Sequence, residues 1–179
     1  MKTLYIAALM IGLTSLAPEH TFASNPAGEV LYTQVNIHSL KGRVVTWANY
    51  RVDTLIPVNT AIIIKPHTGK KVYFAIKGTK IRLAFKNNIT SGLTGKEWLA
   101  KHASKSQVNM DNFTPLEREG IKSATVLIGM RKSAVIVARG FPPHNLTADL
   151  TSSTWTYWVN RSDKKKIRFI DDKVSQIIH

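Results

Sequence analysis

Residues Ile128–Trp158 are the stretch that most limits what this chain can fold into. Met130, Ala134, Val137 and Ala138 recur at i, i+4, i+7 and i+8, the apolar stripe of an amphipathic helix. Val135-Ile136-Val137 would also suit a strand, because branched side chains lose rotamer freedom in a helix. Gly140, with Pro142 and Pro143 behind it, decides for a helix, since helices stop at such a glycine–proline signal. Beyond a loop, Trp155, Tyr157 and Val159 share one face of a strand. Lys166–Ile170 and Val174–Ile178 read as two further strands, joined by a turn at Asp171-Asp172. A helix followed by three antiparallel strands makes a compact α+β unit. The apolar, β-branched run Ala124–Ile128 is expected as a short strand just ahead of it.

Upstream the period is two. From Glu29 to Lys86 five short strands are expected: one around Val30, Tyr32 and Val35, then Arg43–Trp47, Thr60–Lys65, Lys70–Lys77 and Thr79–Lys86. In the last of these Ile81, Leu83 and Phe85 face one way and Lys80, Arg82 and Lys86 the other. Lys71, Tyr73 and Lys77 alternate in the same manner with Val72, Phe74 and Ile76. One face is therefore buried and one wet, and strands this short imply a small SH3-like β-barrel or curled sheet. At Thr94 the pattern turns helical. Thr94 with Glu97 spells a capping box, followed by Trp98, Leu99 and His102. Thr114-Pro115-Leu116-Glu117 repeats the signal, with Gly120 as the expected stop.

The first residues address the chain. Lys2, the apolar run Leu4–Leu16 and the small residues around Thr21-Phe22-Ala23 have the form of a secretory signal peptide. Four segments follow: signal peptide 1–23, SH3-like β domain 24–92, helical connector 93–123 and α+β domain 124–179. The export signal implies a periplasmic or secreted protein. No cysteine is present, so stability must come from core burial, and thiol catalysis and cysteine metal sites are excluded. Lys and Arg total 25 against 11 Asp and Glu, a formal net charge of +14, which favours anionic partners.

Four short signals near the C-terminus occur in order: Gly129-Met130, Gly140-Phe141-Pro142, Trp155-Thr156-Tyr157, and Phe169 with Val174 and Ile177. Together they resemble the SmpA/OmlA (BamE-like) family of outer-membrane assembly lipoproteins, over roughly the last 55 residues. The resemblance implies a helix on a three-stranded antiparallel sheet. It also implies a non-enzymatic envelope role, in contact with other proteins and anionic lipid. This chain departs from the pattern in lacking an acylatable cysteine, in carrying Arg131 where a Ser/Thr helix cap is usual, and in having a whole β domain in front.

The residues give little sign of a reaction. His38, His67, His102, His144 and His179 show no metal-ligand spacing, so neither a metal nor a cofactor is expected. No nucleophile elbow is present, and Gly92-Leu93-Thr94-Gly95-Lys96 lacks the spacing of a phosphate loop. Two basic clusters carry the binding hypothesis. One is Lys71, Tyr73, Lys77, Lys80 and Arg82 on the first domain. The other is Trp158, Arg161, Lys164, Lys165, Lys166 and Arg168 around the C-terminal hairpin. Cations beside a flat aromatic make an anion-binding face. The expectation is a non-catalytic cell-envelope or secreted protein that contacts a partner protein or an anionic lipid, lipopolysaccharide or murein component. Peripheral membrane contact fits this, and nucleic acid does not. A secreted inhibitor of the β-lactamase-inhibitor type and a secreted hydrolase of an anionic polymer are the alternatives.

Overall fold

The computed structural model describes residues 28–46, 54–65, 71–86, 93–147, 149–160 and 162–179. The expected signal segment, Trp47, the turn at Pro66-His67-Thr68-Gly69, Gly92 and Arg161 lie outside the described residues. The fold is mixed α+β, with a curled eight-stranded sheet, three helices and a separate three-stranded antiparallel sheet.

The large sheet contains β1 (Val30–Thr33), β2 (Ile37–Leu40), β3 (Val44–Thr46), β4 (Thr54–Ile56), β5 (Ala61–Ile64), β6 (Lys71–Ile76) and β7 (Arg82–Lys86). Helix α1 (Gly95–His102) follows and leads directly into β8 (Ala103–Ser104), giving the order β4-β2-β3-β7-β6-β5-β1-β8. Neighbours pair antiparallel except β3 and β7, which run parallel. The alternation in β6 holds from Lys71 to Phe74, with Val72 and Phe74 buried and Lys71 and Tyr73 exposed, and then breaks where Ala75 is buried and Ile76 half-buried. Ile81 departs from expectation. It precedes β7 and stands 42% exposed, because the turn at 77–80 delays the start of the strand.

Three strands escaped the sequence, one of them the two-residue β8 that follows α1 directly. β4 has three residues, too few to show a period. β2 buries Ile37, His38 and Ser39 in succession, so alternation is erased. The core of this sheet gathers Leu31, Ile37, Ile62, Phe74, Leu83 and Phe85, and α1 closes it with Trp98 and Leu99. Thr94 and Glu97 form the reciprocal capping box, which stabilises a helix end by about 1 kcal/mol. Trp98 stacks on Phe85 with centroids 4.4 Å apart and on His102 at 4.5 Å.

The second unit comprises α2 (Pro115–Lys122), α3 (Lys132–Arg139), β9 (Thr154–Trp158), β10 (Lys164–Ile170) and β11 (Lys173–Ile178), with sheet order β11-β10-β9. Residues Val135–Val137 are helical, as the glycine–proline stop requires. Met130, Ala134, Val135 and Ala138 meet Trp155, Tyr157, Ile167, Phe169 and Val174 in one core. Ala124–Ile128 is not a strand. Ala124 adopts a left-handed φ of 52°, with Ala124 N donating to Ile121 O and Thr125 N to Gly120 O. That is a Schellman ending to α2, and Val126 and Leu127 are apolar because they pack on this core. Gly120 does not stop α2, which continues to Lys122. A Cβ on Gly120 would lie 2.6 Å from Met130 Sδ and 2.8 Å from Thr125 O, so the glycine is there for close packing.

The two units meet at Asn36, which is fully buried. Its Nδ2 donates to Ile121 O at 2.6 Å and to Ala138 O at 3.1 Å, and its backbone N donates to Val137 O. Its Oδ1 accepts from Val58 N at 2.9 Å. One amide thus satisfies terminal carbonyls of both α2 and α3 while sitting in the loop between β1 and β2. Phe141 adds to the junction by meeting His102 edge-on at 5.5 Å.

The edges of the small sheet are covered in places. On β9, Thr156 N donates to Thr147 Oγ1, and Trp158 O accepts from Arg139 Nη2. On β11, Val174 exchanges backbone bonds with Gly129 and Met130.

Candidate anion-binding face

β10 is the centre strand of the small sheet, and period-two alternation sorts its side chains. Ile167 and Phe169 enter the core beneath α3, so Lys164, Lys166 and Arg168 must stand on the opposite face, where all three are exposed. Their neighbours across β9 are Trp158, Thr156 and Thr154 respectively. Across β11, Lys166 faces Ile178 and Arg168 faces Gln176. The Lys164 ammonium lies 4.5 Å from the centroid of the Trp158 ring. Arg168 Nη1 donates to Gln176 Oε1 at 3.2 Å, which fixes the guanidinium on the face. The β11 bulge lies beside it, and Ser175 Oγ donates to Arg168 O.

Among the described residues, no Asp or Glu side chain stands on this face. Asp163 precedes β10 and accepts from Asn160 at 2.6 Å, while Asp171 and Asp172 form the turn at the other end. Among the described residues, ion pairs join Lys105 to Glu29 and Arg131 to Glu117, and neither involves the ladder cations. The result is a row of cations down the middle of an open sheet, with two threonines and Trp158 along one side and Gln176 and Ile178 along the other.

Lys165 does not share this face. As the odd member of the run it turns toward the helix side, half-buried, where it lines a small cavity of about 70 Å³ with Arg139, Tyr157 and Val126. Arg139 is 8% exposed and its guanidinium lies over the Tyr157 ring at 6.0 Å. Tyr157 donates its hydroxyl hydrogen to Gly140 O, and burial pushes its pKa upward. Arg139 was not singled out from the sequence. The available signal was its place in the last turn of α3, where a cation suits the carbonyl end of the helix.

The other cluster is arranged differently. Lys71, Tyr73 and Arg82 share the outer face of β6 and β7, but Tyr73 pairs with Ala84, and Ala75 pairs with Arg82. Half-buried Ile63 and Val44 flank the same face on β5 and β3. Lys77 and Lys80 stand on the β6–β7 turn, exposed and off the face. Alternation brings Lys71, Tyr73 and Arg82 together, but around an apolar patch.

An open cleft of about 580 Å³ lies between α2 and α3, lined by Asp111, Asn112, Thr114, Glu117, Arg131 and Lys173 among others. Its carboxylate is committed to structure. Glu117 Oε1 accepts from Arg131 N and Nε, and Oε2 from Arg131 Nη2 and Thr114 N. The bonds from Arg131 hold the Glu117 carboxyl down at about 2, so it stays ionised and has no proton to exchange near neutrality. Arg131, at the N-cap position of α3, makes no side-chain cap bond and instead ties α3 to α2. His102 is also built in. Its Nδ1–H donates to Trp98 O at 2.7 Å, and burial lowers its pKa to about 4. Groups of His, Asp or Glu arranged to hold a metal do not occur among the described residues.

No family model matches the chain, and neither the curated proteins nor the solved structures give a match.

Proposed function

We propose that this is a non-catalytic binding protein of the bacterial cell envelope, or a secreted one, that holds an anionic component through the outer face of its small sheet. The observation that carries this is the alignment of Lys164, Lys166 and Arg168 on one uncovered face with no carboxylate among them. Exposed cations at a surface attract polyanions through water, and the attraction falls with salt. The charge of +14 supports the same reading, and the signal-like leader supports the location. An SmpA/OmlA-like identity for the C-terminal unit draws support from four local features. Gly129 has a φ of 89°, Met130 is fully buried, Gly140 ends α3, and Trp155 and Tyr157 are buried under the helix.

The test is co-sedimentation of the full chain with murein sacculi and flotation with anionic vesicles, at physiological salt. Binding that disappears when Lys164, Lys166 and Arg168 are all replaced by Gln is the expected result. Undiminished binding by that variant would move the function elsewhere. A partner-protein reading rests on a separate place, where exposed Ile128 (54%) and Leu116 (40%) lie on either side of Gly129. Cross-linking through those two positions addresses it.

A further inference from the structure

The spacing of the cation ladder carries information that its charge alone does not. Lys164, Lys166 and Arg168 are alternate residues of one extended strand, so their attachment points repeat every ~6.7 Å along a line. That step spans six backbone bonds of the peptide. A phosphodiester chain whose phosphates are linked through three carbons also places one charge every six backbone bonds, with bond lengths close to those of the peptide. Stretched alongside β10, such a chain presents its charges at the pitch of the points from which the cationic side chains spring, within reach of Lys164 leaning toward Trp158 and Arg168 toward Gln176.

The surroundings say what hangs from that chain. A strand carrying bases requires aromatic platforms at successive positions. Here Trp158 stands alone at one end, and the residues beside Lys166 and Arg168 are Thr156, Thr154, Ile178 and Gln176. Threonine and glutamine suit the hydroxyls of a polyol. Resting on the anion-binding reading above, the geometry points to an extended polyol-phosphate chain, phosphates joined through three carbons and without bases, as the occupant of this face. Lys164, Lys166 and Arg168 each meet one phosphate, and Trp158 caps the run.

The experiment measures fluorescence anisotropy of the full chain with two synthetic oligomers of equal phosphate number, one of 1,3-propanediol phosphate and one of 1,6-hexanediol phosphate. The three-carbon oligomer binds about tenfold tighter, and the logarithm of its affinity falls with the logarithm of salt at a slope of about −2, three contacts at about 0.7 each. Lys166→Gln, at an exposed position where folding is unaffected, removes that preference and lowers the slope by about 0.7. Lys122→Gln, an equal loss of charge at the exposed end of α2, leaves the preference intact. Equal affinity for the two oligomers, with both weakened by Lys166→Gln, overturns the pitch argument while the anion-binding face stands. Failure of both oligomers, sacculi and anionic vesicles to bind overturns both. An oligodeoxynucleotide of the same phosphate number that binds more than about tenfold tighter than the propanediol oligomer shows that bases are read, and overturns the base-free occupant.

Discussion

The two sheets are built from similar strands, and each turns an alternating, lysine-bearing face outward, yet only one face is a row of charge. In the large sheet, Lys71 pairs with Lys86 at one end, Arg82 stands at the other, and Tyr73, Ala75 and Ala84 fill the positions between, while Lys77 and Lys80 sit on the β6–β7 turn. In the small sheet, three successive outward positions of the middle strand are cationic; β9 sets Trp158, Thr156 and Thr154 beside them, and β11 sets Ile178 and Gln176. Composition is nearly the same in the two places. What differs is whether the charges occupy consecutive outward positions of one strand.

The largest disturbance of this comparison is to separate the two units. Asn36→Ala removes the side-chain partner of Ala138 O and Val58 N and one of the donors to Ile121 O, which keeps its bond from Ala124 N, and should destabilise the protein by about 3 kcal/mol. Calorimetry should show one transition for the wild type and two for the variant. Two transitions in the wild type would mean that the junction does not couple the units.

Acid should loosen the units in order. The folded pKa of His102 lies below its ordinary value, so its contribution is complete above about 6.5 and is lost as the pH falls toward 4. That loss amounts to about 3 kcal/mol in the first core. Glu117 follows later. Its contribution is present above 4.5 and disappears as the pH falls through 2, worth about 2 kcal/mol with solvent around Arg131 allowed for. Amide hydrogen exchange at pH 5 should show β6 and β7 losing protection before β10. Loss of protection in the reverse order would break the contrast.

A smaller change acts on the second unit alone. Ala124→Gly relieves a left-handed residue at the end of α2 and should raise stability by about 0.5 kcal/mol, seen as a higher Tm. The smallest effect on stability comes from the charges themselves. Replacing Lys164, Lys166 and Arg168 by Gln, or Lys71, Lys77 and Arg82 by Gln, should change urea stability by less than about 0.5 kcal/mol. Anion binding should separate the pair of variants, since only the first triple abolishes it. Equal loss in both would reduce the ladder to a share of overall charge.

Much of the fold could be read from residues whose local chemistry is self-sufficient. Thr94 with Glu97 and Thr114 with Glu117 announce helix starts because each pair satisfies its own end of the backbone. Gly140 with its prolines ends α3 for a comparable reason. Features that depend on distant partners were illegible. His38 and Ser39 are buried along with Ile37, one side chain after the next, so β2, paired with β3 and β4, lacks the alternation of a half-wet strand. Ala124 to Leu127 are apolar because of what they pack against, and in one dimension that resembles a strand. Gly120 has the look of a stop, although it is an interior position yielding space to Met130. At the candidate face the run of cations after Trp158 was legible, but the expected strand Lys166–Ile170 left Lys164 and Lys165 ahead of it, and alternation sorts them only with β10 starting at Lys164. It then separates Lys165 from Lys164, Lys166 and Arg168, once the strand is known to be central.

The side-chain caps on the rim of the small sheet have a consequence for life in a crowd. Thr147 and Arg139 occupy backbone groups of β9 that would otherwise recruit a stray strand, and the Gly129–Met130 segment does the same for part of β11. Many copies gathered side by side along one long anionic thread would be brought to high local density with their rims blunted against cross-pairing. On the binding proposed above, copies sharing one ligand would stay separable because of these rims.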